Sequence, residues 1–127
     1  MPSPTETPLP LDAAEALAGF VRTLVRFWSS DPDIIRRLHA MAALDGEIAR
    51  GLDARRARRR RAADDIVRPT VGSGPRANDV RAPGLLADVL CTLASFETYD
   101  ALASAGHGRE EIIASITRLA RCALASE

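Results

Sequence analysis

No lysine occurs in this 127-residue chain; its seventeen basic side chains are all arginine, and seventeen acidic ones balance them to a formal net charge of zero. With no excess of either sign, no global field draws the chain toward nucleic acid or an anionic membrane. Aromatic residues are scarce at 4%. The interior must therefore be built largely from alanine and leucine, which lose little rotamer freedom in a helix. Strand formers never alternate over a run of any length, which disfavours a sheet. There are two cysteines, Cys91 and Cys122. They are too few and too widely spaced for a small secreted disulfide scaffold, and both fall in apolar helical stretches, so they read as reduced core thiols of a cytoplasmic protein. No apolar run approaches the roughly 20 residues that span a bilayer. The opening Met1-Pro2-Ser3-Pro4 lacks the basic and apolar regions of a signal peptide. The expectation is a soluble chain with no membrane partner.

What is present is helical. Apolar residues make up 46% and charged residues 27%, an ordinary balance for one globular domain of this length. Residues 1–11 hold four prolines and read as a disordered lead-in to a domain over 12–127. Asp12 with Glu15 resembles a capping box. Leu17, Phe20, Val21, Leu24, Phe27 and Trp28 then recur at helical spacing, predicting a first helix over about 13–29. Asp31-Pro32 restarts the chain, with Asp31 as cap and Pro32 in the first turn; Ile34, Ile35, Leu38, Met41 and Ala42 line a second helix ending near Leu44. Asp45-Gly46 breaks the pattern before a third helix over about 47–67, which Pro69 is expected to end. Residues 69–82 form the one long loop. Pro83 opens a fourth helix, 83–104, apolar nearly all round through Leu85, Leu86, Val89, Leu90, Leu93 and Phe96. A helix without a wide polar face needs cover on two sides, and a second subunit is the expected source. A fifth helix, 109–126, carries Ile112, Ile113, Ile116, Leu119, Ala120, Ala123 and Leu124. The fold class is all-α, about five helices in an antiparallel bundle.

Two stretches resemble a known family. Phe27-Trp28-Ser29-Ser30-Asp31-Pro32, with Arg36-Arg37-Leu38-His39-Ala40-Met41-Ala42-Ala43-Leu44-Asp45 after it, is similar to the C-terminal domain of tetracycline-repressor (TetR) family regulators. So is Leu93-Ala94-Ser95-Phe96-Glu97-Thr98-Tyr99-Asp100-Ala101-Leu102, with Arg109-Glu110-Glu111 and Arg118-Leu119-Ala120-Arg121 following. The likeness covers roughly residues 12–126. It implies an effector-sensing domain with a pocket for a small hydrophobic or amphipathic ligand, and a homodimer formed by the last two helices. Leu86, Val89, Leu90 and Leu93, with Ile112, Ile116, Leu119 and Ala123, are the expected interface. Family members begin with a DNA-reading helix-turn-helix, and the residues before Asp12 are too few for one. As given, the chain is expected not to bind an operator itself; it reads as a stand-alone module or as part of a longer regulator. The alternative is a structural self-association module that binds no ligand.

Several local features carry chemistry. Arg55-Arg56 and Arg58 through Arg61 form a basic run, but Asp53, Asp64 and Asp65 flank it and no aromatic residue interrupts it for stacking. A solvated, partly paired helix face fits better than a nucleic-acid contact. At about 100° per residue, Arg55 and Arg59 fall on the face shared by Ile48, Leu52 and Ile66. A buried unpaired charge costs several kcal/mol, so these arginines must reach water, pair with Glu97 or Asp100, or face a wet cavity where an anionic ligand group can meet them. Phe27, Trp28, Met41, Phe96 and Tyr99 are core residues or the lining of such a cavity, where the polar tips of Trp28 and Tyr99 orient a guest. His39, at the edge of an apolar stripe, is a boundary residue or a ligand contact. His39 and His107 lie on separate elements in no metal-ligand spacing. Cys91 and His39 sit in no recognisable catalytic motif, and Gly72-Ser73-Gly74 has no lysine after it to make a phosphate loop. The reading is a binding protein, with no catalytic residues and no cofactor.

Overall fold

Leu17, Val21, Val25 and Trp28 lie four, four and three residues apart, so one face of the first helix carries all of them. Each is buried, the first three with no accessible surface. At about 1.5–3 kcal/mol for each large apolar side chain fully removed from water, this stripe alone rivals the net stability of a small domain, which explains why the bundle is built around it. The computed structural model describes residues 9–71 and 82–125. These form helices α1 (Leu11–Ser30), α2 (Pro32–Ala42), α3 (Gly46–Val71), α4 (Pro83–Leu93), α5 (Phe96–Ser104) and α6 (Arg109–Leu124), with no strand among the described residues. The fold is all-α. The buried face of α1 meets α6, α3 and α5, while α3 carries α2 near one end and α4 along its length. One continuous core joins α1 to Ala63 and Val67 of α3, Leu86 and Leu90 of α4, Phe96 and Tyr99 of α5, and Ile112, Ile116 and Leu124 of α6.

The turns follow the local chemistry. The Asp31 carboxylate accepts from the Ile34 amide at 3.2 Å and Pro32 opens α2, as the sequence suggests. Asp45 accepts from the amides of Glu47 and Ile48 at 2.9 and 3.3 Å, capping α3. Gly106, at φ 100°, closes α5, with its own amide on the Ala103 carbonyl and the His107 amide on Leu102; a side chain is strained at such a φ. Glu111 reaches back to the Gly108 amide at the start of α6.

Four expectations change. The first helix begins at Leu11 behind Pro10, and Asp12 stands in its first turn without making a cap. Leu9, expected in the loose tail, packs against the core; residues 1–8 lie outside the described residues. The third helix does not stop before Pro69, which sits inside its last turn. So late in a helix the missing amide costs one bond, and buried Val71 with a Thr70 hydroxyl donating to the Val67 carbonyl holds the end in place. Of the loop expected over 69–82, residues 69–71 are therefore helical and 72–81, including Gly72-Ser73-Gly74, lie outside the described residues. The segment 83–104 is two helices, divided at Ala94-Ser95. The division also alters the packing argument: α4 lies against both α3 and α6, so the chain itself covers Leu86, Ala87 and Leu90.

Candidate ligand-binding cleft

A helix break strands backbone groups that must find partners. At Ala94-Ser95 every partner is local or aromatic. The Ala94 carbonyl accepts from the Trp28 indole Nε1 at 2.9 Å, a buried bond between α1 and the break. The Ser95 hydroxyl caps the Thr98 amide at 3.2 Å, and the Thr98 hydroxyl donates to the Thr92 carbonyl at 2.8 Å. The break thus holds Trp28 at one angle and starts α5 beside it. Phe96 meets Trp28 edge-on at 5.7 Å between centroids, and His39 of α2 meets Phe96 edge-on at 5.5 Å.

These groups wall a cleft of about 530 Å³ between α3 and the α4–α5 break, lined by Trp28, His39, Arg56, Arg59, Arg60, Asp88, Cys91, Thr92 and residues 95–98. Beside it lies a smaller chamber of about 220 Å³ under α2, lined by Phe27, Trp28, Ile34, Ile35, Leu38, Leu52 and Arg55 among others. Trp28, His39 and Arg59 line both spaces and form the wall between them. The larger space has a mixed lining and is the more open of the two; the smaller is mostly apolar.

Charge is arranged unevenly around this wall. Arg60 is fixed to α4 by Asp88 at 2.6 Å and by the Gly84 carbonyl at 3.1 Å. Arg59 lies with its guanidinium carbon 5.2 Å from the Trp28 ring centroid, a cation–π contact. Burial, then the neighbouring Arg56 cation, pull its pKa below the ordinary guanidinium value, although an arginine remains charged in any protein. Burial likewise raises the pKa of the half-buried Cys91 thiol, the wrong direction for a reactive thiolate.

Of the sequence-derived ligand residues, the structure gathers Trp28, His39, Arg59 and Phe96 at the wall and puts Phe27 and Arg55 on the smaller chamber. Met41 is half exposed and lines neither space, and Tyr99 is a core residue beside Phe96. Asp100, a candidate partner for Arg55 or Arg59, is instead bound by Arg36. Thr92, Ser95 and Thr98 escaped sequence reading because they lie on what looked like an unbroken helix. Ile34, Ile35, Leu38 and Leu52 were legible only as helix faces. Of the expected interface residues, Leu86, Leu90, Ile112 and Ile116 are buried within their own chain, Val89, Leu93 and Ala123 are partly covered, and Leu119 is 56% exposed. The buried four are core residues and have no surface left for a second copy. Cys122 is exposed rather than in the core.

The Arg36–Asp100 pair ties α2 to α5 close to Phe96. The Arg36 hydrogen bond holds the Asp100 carboxyl below the usual carboxylate range. A carboxyl whose folded pKa is depressed stabilises the fold above its unfolded value of about 3.9, and that stability is lost as pH falls through the folded value. Asp100→Asn is therefore expected to flatten the acid limb of a plot of urea midpoint against pH while leaving the limb above about pH 5 nearly level.

No family model matches this chain, and neither a curated protein nor a solved structure does. No helix among the described residues is long and apolar enough to cross a membrane.

Proposed function

We propose that this chain is the effector-sensing and self-association part of a TetR-like transcriptional regulator, taking a small hydrophobic or amphipathic molecule into the cleft beside Trp28. The observation that carries this reading is the two-chamber space itself. Its mostly apolar chamber is walled by Trp28, His39 and Arg59 from a larger one of mixed lining in which a break in the α4–α5 segment supplies the floor. Ligand sites commonly combine an apolar lining with a few fixed polar groups in this way. The resemblance of residues 27–45 and 93–102 to that family adds the regulatory role.

Helix α4 links the two halves of the proposal. Cys91 and Thr92 line the cleft, while Leu85, one helical repeat before Thr92 and on the same side of the helix, is about half exposed. A ligand that shifts α4 would therefore alter the surface offered to a second copy. The exposed apolar side chains of α4 and α6 available to such a copy are Leu85 and Leu119. A second reading, an interaction module without a ligand, is favoured by the exposure of Ile34, Met41 and Leu44 on and just beyond α2.

A panel of small apolar and amphipathic compounds, followed by Trp28 emission and by melting temperature, tests the first reading. A compound present at a hundred times its Kd stabilises by about 2.7 kcal/mol, a rise of several degrees in Tm for a domain of this size. Saturable binding with a change in scattering mass supports sensing. A panel that moves neither emission nor Tm, with a scattering mass above that of one chain, supports the interaction module.

A further inference from the structure

The donors around the cleft are almost all committed. The Thr92 hydroxyl donates to the Asp88 carbonyl at 2.8 Å, Ser95 to the Thr98 hydroxyl at 3.2 Å, Thr98 to the Thr92 carbonyl, and the Trp28 indole to Ala94. Arg60 is held by Asp88 and by Gly84, and Arg56 lies 3.6 Å from Asp53 on its own helix. In the smaller chamber the Asp31 carboxylate is engaged as a cap on α2. Arg55 of the smaller chamber likewise has no partner among the described residues but is exposed to water; Arg59 is the partly buried exception. Among the described residues its guanidinium has neither an ion pair nor a hydrogen bond, although it is partly buried and lines both chambers. The guanidinium carbon lies 5.2 Å from the Trp28 ring centroid, a cation–π contact that gives the five N–H donors no oxygen acceptor. Of the acids at the cleft, Asp88 belongs to Arg60, while the exposed Glu97 lies 3.9 Å from His39 and acts on Arg59 only through an attraction smaller than the effect of burial, without a hydrogen bond or ion pair to it.

A partly desolvated cation with free donors at the junction of an open chamber of mixed lining and a mostly apolar one selects one ligand chemistry. We infer that the cleft takes a monoanion with an apolar tail, a carboxylic acid of the fatty-acid or aryl-acid kind, its carboxylate on Arg59 and its tail among Phe27, Ile35, Leu38 and Leu52. This rests on the reading of the cleft as a ligand site and narrows it. The carboxylate meets the guanidinium fork in its own plane. The tail replaces water in a chamber of about 220 Å³. A neutral molecule of the same shape would fill the chamber and leave the donors of Arg59 without an acceptor, which is the source of discrimination.

Trp28 is the only tryptophan in the chain, so its emission reports this site alone. Decanoate and its neutral counterpart decanamide are titrated against the full chain and against Arg59→Gln and Arg61→Gln. Decanoate is expected to bind saturably and roughly tenfold to a hundredfold more tightly than decanamide, the range that a charge-assisted hydrogen bond supplies. Arg59→Gln should remove that preference, and Arg61→Gln, which changes an exposed arginine of the same helix that lines neither chamber, should retain it. Equal affinity for the two probes overturns the inference and leaves a site for apolar molecules standing; so does a preference that survives Arg59→Gln in a folded variant. If neither probe alters Trp28 emission, the ligand site itself is refuted. Should Arg59→Gln fail to fold by circular dichroism, the comparison of the two probes on the unmodified chain still decides.

Discussion

Trp28→Ala is expected to destabilise the fold by about 3–5 kcal/mol, read from the urea midpoint. Stabilities of domains this size run to about 5–15 kcal/mol, so the variant sits near the edge of folding. Three losses add up. The indole is 4% exposed and packs against Phe27 and Phe96, so its removal leaves a cavity that α3 and α5 cannot close. The Ala94 carbonyl loses its donor in a buried place. Arg59 loses the ring on which it lies. Trp28→Phe separates these contributions, since it keeps most of the packing and a ring for Arg59 while leaving the carbonyl alone. Its cost should be about 1–3 kcal/mol, the penalty for one unsatisfied buried group. Equal midpoints for Trp28→Phe and the unmodified chain would show that the bond to Ala94 holds nothing together.

Ile116→Ala is expected to cost about 2–5 kcal/mol without changing the oligomeric state, because Ile116 is 1% exposed within its own chain. Leu119→Arg, three residues on, should do the reverse. Its side chain faces solvent, so the fold loses at most about 0.5 kcal/mol, while any association through the outer faces of α4 and α6 is blocked by an unpaired charge at its centre. Light scattering and denaturant midpoints on the two variants separate core from contact surface. An Ile116→Ala chain that keeps its midpoint but halves its mass would restore the residue to the interface.

The contrast between these two residues shows what the sequence could tell. Spacing of three and four identifies Ile112, Ile116 and Leu119 alike as apolar positions of one helix, and it placed α1, α2 and α6 correctly to within a few residues. It does not say which helix lies opposite. With α4 between α3 and α6, the face assigned to a partner subunit was largely occupied by the chain itself. The break at Ala94-Ser95 was equally hard to see. No glycine or proline marks it, and alanine and serine are tolerated inside a helix; what holds it is the Ser95 cap on the Thr98 amide together with the indole of Trp28, sixty-six positions before Ala94. The cleft shares that fate. Trp28, Phe96, His39 and Arg59 were all singled out individually, for size, polarity or position on a face. That they share one wall depends on the break. Arg59 and Arg55 were indistinguishable by helical angle, and only the packing of α1 against α3 gives one of them a ring and leaves the other in water.

The bond from Trp28 to Ala94 also fixes what α4 and α5 can do together. Straightened into a single rod, the segment would take the Ala94 carbonyl into its own helical ladder and leave the indole N–H with nothing to donate to, in a dry interior. The bent form is therefore latched from outside by another helix, and a guest wedged beside Trp28 would act on the latch rather than on the rod.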